Sequence, residues 1–229
     1  MINLFVIAIG DVAYKEDALY VIKNYFKKFN FVNIFILEED DETINHKKAH
    51  PSWLRLLHHK YIKNDYFTLS WDLDILPTKD SFKIFQHLDG TRLNMCIDNS
   101  VILTDKNLDR TIQYSTYLVE DGYRNFKYNA GLIGIPPKFR NFCEYVYETH
   151  APGNGRPSYE QYYFNDEIQK NNLNVNILPT IFNGMYPPEG IDDFIFNKAV
   201  NKHYTWGVMG EGKLDPIKTH RINFEKGLI

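Results

Sequence analysis

Between residues 4 and 71 the chain alternates between a strand period and a helix period, and few folds accommodate that alternation. Residues 4–9 are a near-continuous apolar run, as expected of a strand covered on both faces. Residues 17–29 then set Leu19, Ile22, Phe26 and Phe29 at helical spacing. Residues 31–37 return to an apolar strand, which the acidic cluster at 38–42 closes as a loop. A second helix is predicted over 51–62, where Pro51 suits a first turn and Trp53, Leu54, Leu57 and Tyr61 share a face. Residues 66–71 form a third strand that runs straight into Asp72. This β-α-β-α-β order implies parallel strands joined by helical crossovers.

Beyond residue 71 the pattern is less regular. It predicts a helix over 78–88 with Thr78 as cap and Asp89-Gly90 as stop. Short strands are expected at 93–98 and 101–104, and a longer one at 128–135, stopped by Pro136-Pro137. Helices at 139–148 and 159–170 flank a Gly- and Pro-rich loop at 151–157. A last short strand, 175–178, precedes a tail rich in Gly, Pro and Tyr. With no internal repeat, 229 residues read as a single mixed α/β domain with a mainly parallel central sheet flanked by helices.

A formal charge of −3 and a pI near 6.2 leave no basic footprint for nucleic acid or for an anionic membrane. A small ligand is the better expectation. Cys96 and Cys143 both lie in apolar stretches, so buried free thiols and a reducing, cytoplasmic compartment are expected rather than a disulfide framework. The apolar opening at 2–10 lacks the flanks of a signal peptide, and no stretch approaches the roughly 20 apolar residues that span a bilayer. A monomer without a membrane span is expected.

The most informative segment runs from Tyr66 to Pro77, where a hydrophobic strand ends in Asp72 and Asp74, separated by one residue. At strand spacing both side chains share one side. Ligands of open α/β sheets bind beyond the carboxyl ends of the strands, where this pair sits. Two carboxylates would repel a diphosphate by about 4 kcal/mol per charge pair at ~4 Å and an effective dielectric of ~20. A divalent cation reverses that sign. Mg2+ or Mn2+ would share its oxygen ligands between protein and phosphate, and would act as a Lewis acid on a leaving nucleotide diphosphate.

Two segments carry a family resemblance. Ser70-Trp-Asp-Leu-Asp-Ile-Leu-Pro77 resembles the DxD segment of nucleotide-sugar glycosyltransferases of the GT-A fold, and Tyr128-Asn-Ala-Gly-Leu-Ile-Gly134 resembles their F-N-[SA]-G strand. The sequence is also similar, in small size and in richness in Asn, Lys, Ile and Tyr, to glycosyltransferases of large algal viruses that decorate capsid proteins. The resemblance implies a Rossmann-like domain with a nucleotide-binding half at 1–100 and an acceptor-binding half at 101–229. It implies a metal-dependent transfer from a nucleotide diphosphate sugar, UDP-sugars foremost, to a glycan or glycoprotein, in the host cytoplasm if viral.

Residue by residue, it implies that Ala8, Ile9, Gly10, Asp11 and Tyr14 hold the nucleoside, with Tyr14 stacking on the base. Trp71, Asp72 and Asp74 fall on the DxD segment, with Asp72 and Asp74 as metal ligands. Asn129 would aim its amide at the donor sugar, beside Ala130 and Gly131. A third metal ligand is expected from a C-terminal histidine, first His220 in Lys218-Thr-His-Arg221 and second His203, although the spacing departs from the family's His-X-X-Gly-X-X-Lys-Pro. Glu160, followed by Gln161, is the first candidate for the base that takes the acceptor proton, with Asp192 in Asp192-Asp193 as the alternative. Tyr204 and Trp206 could form an aromatic platform for sugar.

Two rival readings share some of these features. A haloacid-dehalogenase-like phosphohydrolase also places Asp-X-Asp at a strand end, but on its first core strand. A non-catalytic carbohydrate-binding module would bind glycans without metal or nucleotide.

Overall fold

The computed structural model describes residues 1–97, 128–152, 160–185, 196, 198–204 and 214–229. The expected strand at 101–104, most of the loop at 151–157, Asp192, Asp193 and Trp206 lie outside the described residues.

The strands are β1 (Ile2–Ile7), β2 (Val32–Leu37), β3 (Phe67–Asp72), β4 (Ile75–Pro77), β5 (Leu93–Ile97), β6 (Tyr128–Ile135), β7 (Val175–Leu178), β8 (Gly184–Met185) and β9 (Asn201–His203). The α-helices are α1 (Lys15–Phe26), α2 (His58–Tyr61), α3 (Arg140–His150), α4 (Glu160–Lys170) and α5 (Leu214–Glu225). Six strands form one sheet in the order β2-β1-β3-β6-β5-β7, and β4-β9-β8 form a second, smaller one. In the large sheet β2, β1 and β3 are mutually parallel, β6 runs antiparallel to both its neighbours, and β7 is parallel to β5. The sheet is therefore mixed and mainly parallel.

Period two divides β1 between two apolar layers. Leu4, Val6 and Ala8 join the cluster built around Ala18, Leu19, Ile22 and Phe26 of α1, while Ile7 and Ile9 lean on the opposite cluster of Trp53, Leu54, Leu57, Cys143 and Tyr147. Burial of each such large side chain contributes roughly 1.5–3 kcal/mol. Both thiols are buried and free, as expected.

Four departures from the sequence pattern matter for the site. The segment expected as one helix over 51–62 is a 3-10 helix at Pro51–Leu57 followed by α2. In the tighter winding the Arg55 side chain takes the Ser52 carbonyl, Nε to O 2.8 Å. The helix expected at 78–88 is likewise 3-10, over Ser81–Gln86. Thr78 is drawn to the later chain instead of capping, its hydroxyl donating to the Val200 carbonyl at 2.8 Å. The tail after β7 is also structured. It forms β8 and β9, and α5 packs on α1 through Arg221 and Asp17, 2.5 Å apart.

The fourth departure lies in β6. Its ladder with β5 steps from Met95↔Ile133 to Cys96↔Asn129, so one residue on β5 is matched by four on β6 (133 − 129). Residues 130–132 bulge out of that pairing. Leu132 stays in register with Trp71 of β3, while backbone groups of Ala130 and Gly131 find side-chain partners at the site.

Candidate active site

Asp72 ends β3 at the carboxyl edge of the large sheet, in register with Ile7 of β1. The adjoining turn at Leu73 and Asp74 leads directly into β4. The two carboxylates therefore meet across a strand end and a turn, not on one face of a continuous strand. β4 pairs with β9 so that Ile75 lies opposite His203, and the Tyr204 N–H donates to the Asp74 carbonyl at 2.9 Å. That pairing brings His203 Nε2 to 3.4 Å from Asp74 Oδ1.

One donor atom each from Asp72, Asp74 and His203 lies within 4.8 Å of the other two. Ligands sharing an octahedral ion at about 2.1 Å are separated by roughly 3 to 4.2 Å, close to the spacing of these three groups, which could hold a metal ion. Gly131 leaves the space: a Cβ there would lie 2.7 Å from His203 Cε1 and 2.9 Å from both Asp72 Oδ2 and Asn129 Oδ1. Glycine is what lets the bulge of β6 approach the carboxylates.

Charge balance points the same way. Arg55, buried in an otherwise apolar run, donates from Nη2 to Asp72 Oδ1 at 2.6 Å and lies 3.7 Å from Glu160 Oε1. Burial alone would lower the Arg55 pKa, yet Asp72, Glu160 and Asp74 more than offset it and the net shift is upward. One guanidinium thus faces three carboxylates. The Asp72 carboxyl is pushed up to about 6, chiefly by loss of water, with Asp74 and Glu160 reinforcing the shift against Arg55 and His203. Its side chain keeps 30% of its surface open, so the group is recessed among other charges rather than sealed in an apolar core. Tyr14 belongs to this neighbourhood too. Its hydroxyl pKa is raised by burial and then by Asp74 and Asp72.

The bulge is held from three sides. The Ala130 N–H donates to Gln161 Oε1 at 2.8 Å, Arg55 Nη1 donates to the Ala130 carbonyl, and the Gly131 N–H donates to Asn129 Oδ1 at 2.9 Å. One turn along α4, Asn165 repeats the pattern on Tyr128, accepting from its N–H at 2.7 Å and donating to its carbonyl at 2.9 Å. Glu160 and Gln161 open α4, so the helix that closes the bulge also delivers the acidic group.

Of the residues expected at the site, Tyr14, Asp72, Asp74, Asn129, Ala130, Gly131 and Glu160 are brought together. Ala8, Ile9, Gly10 and Asp11 leave the end of β1 beside Asp72, where Gly10 adopts φ 96°, a conformation other residues rarely take. Two assignments are corrected. Trp71 points into the core, its indole N–H donating to the Ile75 carbonyl at 2.6 Å and its ring set edge-on to Phe26, so its side chain is turned away from the Asp72 carboxylate. His220 is not gathered with Asp72 and Asp74. Buried on α5, it has Nε2 3.0 Å from the Pro77 carbonyl and Nδ1 3.1 Å from the Tyr204 hydroxyl. That contact also turns Tyr204 inward, away from a sugar platform. His203 lies beside the two aspartates instead. Arg55 is absent from the residues expected at the site, although a lone arginine within Trp53-Leu-Arg-Leu-Leu57 is a visible signal, since buried charges in apolar runs are paired. Asn183, in the 3-10 segment Thr180–Asn183 before β8, carried no such signal.

No family model matches the chain, and no curated protein matches it in sequence. Solved structures do. A glycosyltransferase involved in the glycosylation of the major capsid of PBCV-1 aligns over 96% of this chain and 98% of its own, with TM-score 0.57 at 12% identity. The galactosyltransferase LgtC, solved with donor and acceptor sugar analogs, aligns over 95% of both chains, with TM-score 0.55 at 14% identity. The glycosyltransferase GlyE of Streptococcus pneumoniae TIGR4 aligns over 96% of this chain and 60% of its own, with TM-score 0.52 at 15% identity. The chain has the GT-A fold.

Proposed function

We propose that the protein is a metal-dependent glycosyltransferase that takes a sugar from a nucleotide diphosphate donor, UDP-sugars being the first to test, and passes it to a glycan or glycoprotein. The observation that carries this reading is the convergence of Asp72, Asp74 and His203 at the carboxyl edge of a GT-A sheet, where such folds receive ligands. Those three residues would hold the ion. When bound, it supplies positive charge to the diphosphate and eases its departure. The imidazole among the donors favours Mn2+ over Mg2+, which prefers an all-oxygen shell.

The remaining groups bind and orient. Ala8, Ile9, Gly10, Asp11 and Tyr14 line the nucleoside end, and the main chain of Ala130 and Gly131 runs close under the donor sugar. Asn129, whose amide oxygen accepts from Gly131 and Asn183, is assigned to the donor sugar. Arg55 steadies the Asp72 and Glu160 carboxylates. Glu160 is the carboxylate outside the donor trio, and it is assigned the proton of the acceptor hydroxyl, moved from oxygen to carboxylate as the new glycosidic bond forms.

Titration calorimetry with UDP, GDP and their sugars, with and without Mn2+, tests the reading. Binding should require Mn2+ and vanish with EDTA. Nucleotide binding indifferent to metal, or glycan binding without either, would point to a non-catalytic module.

A further inference from the structure

A chain of buried amides runs from the β6 bulge to His203. The Gly131 N–H, a donor whose identity the backbone fixes, points at Asn129, so Asn129 must present its oxygen, Oδ1, 2.9 Å away. Asn183 approaches the same oxygen at 2.7 Å and must therefore do so with Nδ2. Its own oxygen is then turned to His203 Nδ1, 2.8 Å away. An amide oxygen only accepts, so Nδ1 carries the proton. Asn183 is fully buried, and Asn129 and His203 nearly so, which leaves water little room to scramble the sequence of donors and acceptors. The far nitrogen, Nε2, faces Asp74 Oδ1 at 3.4 Å. A bare lone pair opposite a carboxylate is repulsive, and only a proton or a cation between them makes that contact favourable.

We propose that Asn183 is a positioning residue: through Asn129 it relays the orientation of the Gly131 peptide to His203 and keeps the proton on Nδ1, so that Nε2 is the nitrogen that meets the cation. The inference rests on the proposed metal site, and it adds to that site a device that is set before any ion arrives. Metal-bound histidines in general owe ring orientation and tautomer to such a hydrogen bond on the other nitrogen. Here the acceptor is an amide oxygen whose direction is dictated by a peptide N–H two hydrogen bonds further on.

Two readouts on the metal-free and Mn2+-titrated protein decide it. Long-range proton–nitrogen NMR of the histidine rings at pH 8 should show His203 Nδ1 protonated in the wild type and partly deprotonated in Asn183→Ala. Mn2+ affinity, followed by EPR, should fall roughly 10- to 100-fold in Asn183→Ala. Asn183→Asp restores an acceptor for Nδ1–H but cannot donate to Asn129 Oδ1. It should keep the tautomer and hold Mn2+ within a few-fold of wild type while melting at lower temperature. A bare Nδ1 in the wild type would overturn the proposal, as would affinity that tracks melting temperature alike in both variants, the mark of a merely structural role. A wild-type Nδ1–H signal with no Mn2+ binding would instead reject the metal site, and with it the purpose assigned to Asn183.

Discussion

Arg55 Nη2 sits 2.6 Å from Asp72 Oδ1, and the same guanidinium donates through Nη1 to the Ala130 carbonyl. One buried side chain thus ties the strand that ends in the acidic pair to the bulge that lies over it. The other carboxylate oxygen, Asp72 Oδ2, is the one that a Cβ on Gly131 would crowd.

Arg55→Ala should therefore be among the most damaging substitutions. It strands the Ala130 carbonyl and leaves Asp72 and Glu160 without their cation, and removing one partner of a buried ion pair destabilises by about 3–5 kcal/mol. At roughly 2–4 °C per kcal/mol for a chain of this size, thermal unfolding should show a drop of about 6–20 °C. A drop below 2 °C would mean that the pair is not structural.

Gly131→Ala places a methyl against His203 Cε1, Asn129 Oδ1 and Asp72 Oδ2 at once. Overpacking of this kind costs about 1–3 kcal/mol. Metal-dependent nucleotide binding should be lost well before the fold is, and calorimetry beside circular dichroism will show whether the two separate.

The acidic pair should respond unequally to neutralisation. Asp72→Asn and Asp74→Asn should each abolish Mn2+-dependent turnover. Only Asp72→Asn removes the charge that is hydrogen-bonded to Arg55, so the two variants should differ in the free energy of urea unfolding at pH 7. Equal losses of stability in the two variants would contradict the role assigned to Arg55.

Acid should weaken the metal-free protein from about pH 6.5 downwards. Burial lowers the His58 pKa to about 3, with His59 adding repulsion, and burial lowers that of His220 to about 4. Each binds a proton in the unfolded chain before it does so in the folded one, so stability present above pH ~6.5 is lost as pH falls towards those values, by at most about 1.4 kcal/mol per unit per histidine. Asp72 acts in the opposite sense. Its folded pKa is raised to about 6, so protonation between about pH 6 and 4 relieves part of the strain. Urea unfolding at pH 7 and 5 should show the net loss, and His58→Gln should shrink it.

The sheet was readable because its strands are apolar and bounded by charged or Gly- and Pro-rich punctuation: residues 66–71 could be little else, and Asp72 followed from them. What escaped is what depends on contacts distant in sequence. Arg55 became a site residue only when the 3-10 segment turned it towards β3 and β6. His203 outranks His220 because β9 pairs with β4, a match between two three-residue strands with almost no pattern of their own. Trp71 adjoins Asp72 in sequence yet faces the opposite layer, as alternation along a strand requires. Asn183 has no local signature at all, since its meaning lies in two partners, one on β6 and one on β9.

The small β4-β9-β8 sheet also sets a schedule. A nascent chain that has cleared the ribosome through β7 already holds every strand of the large sheet, both aspartates and Arg55, yet it lacks the imidazole that completes the trio. If those three residues hold the ion as proposed, its capture by the full trio waits until synthesis has passed residue 203.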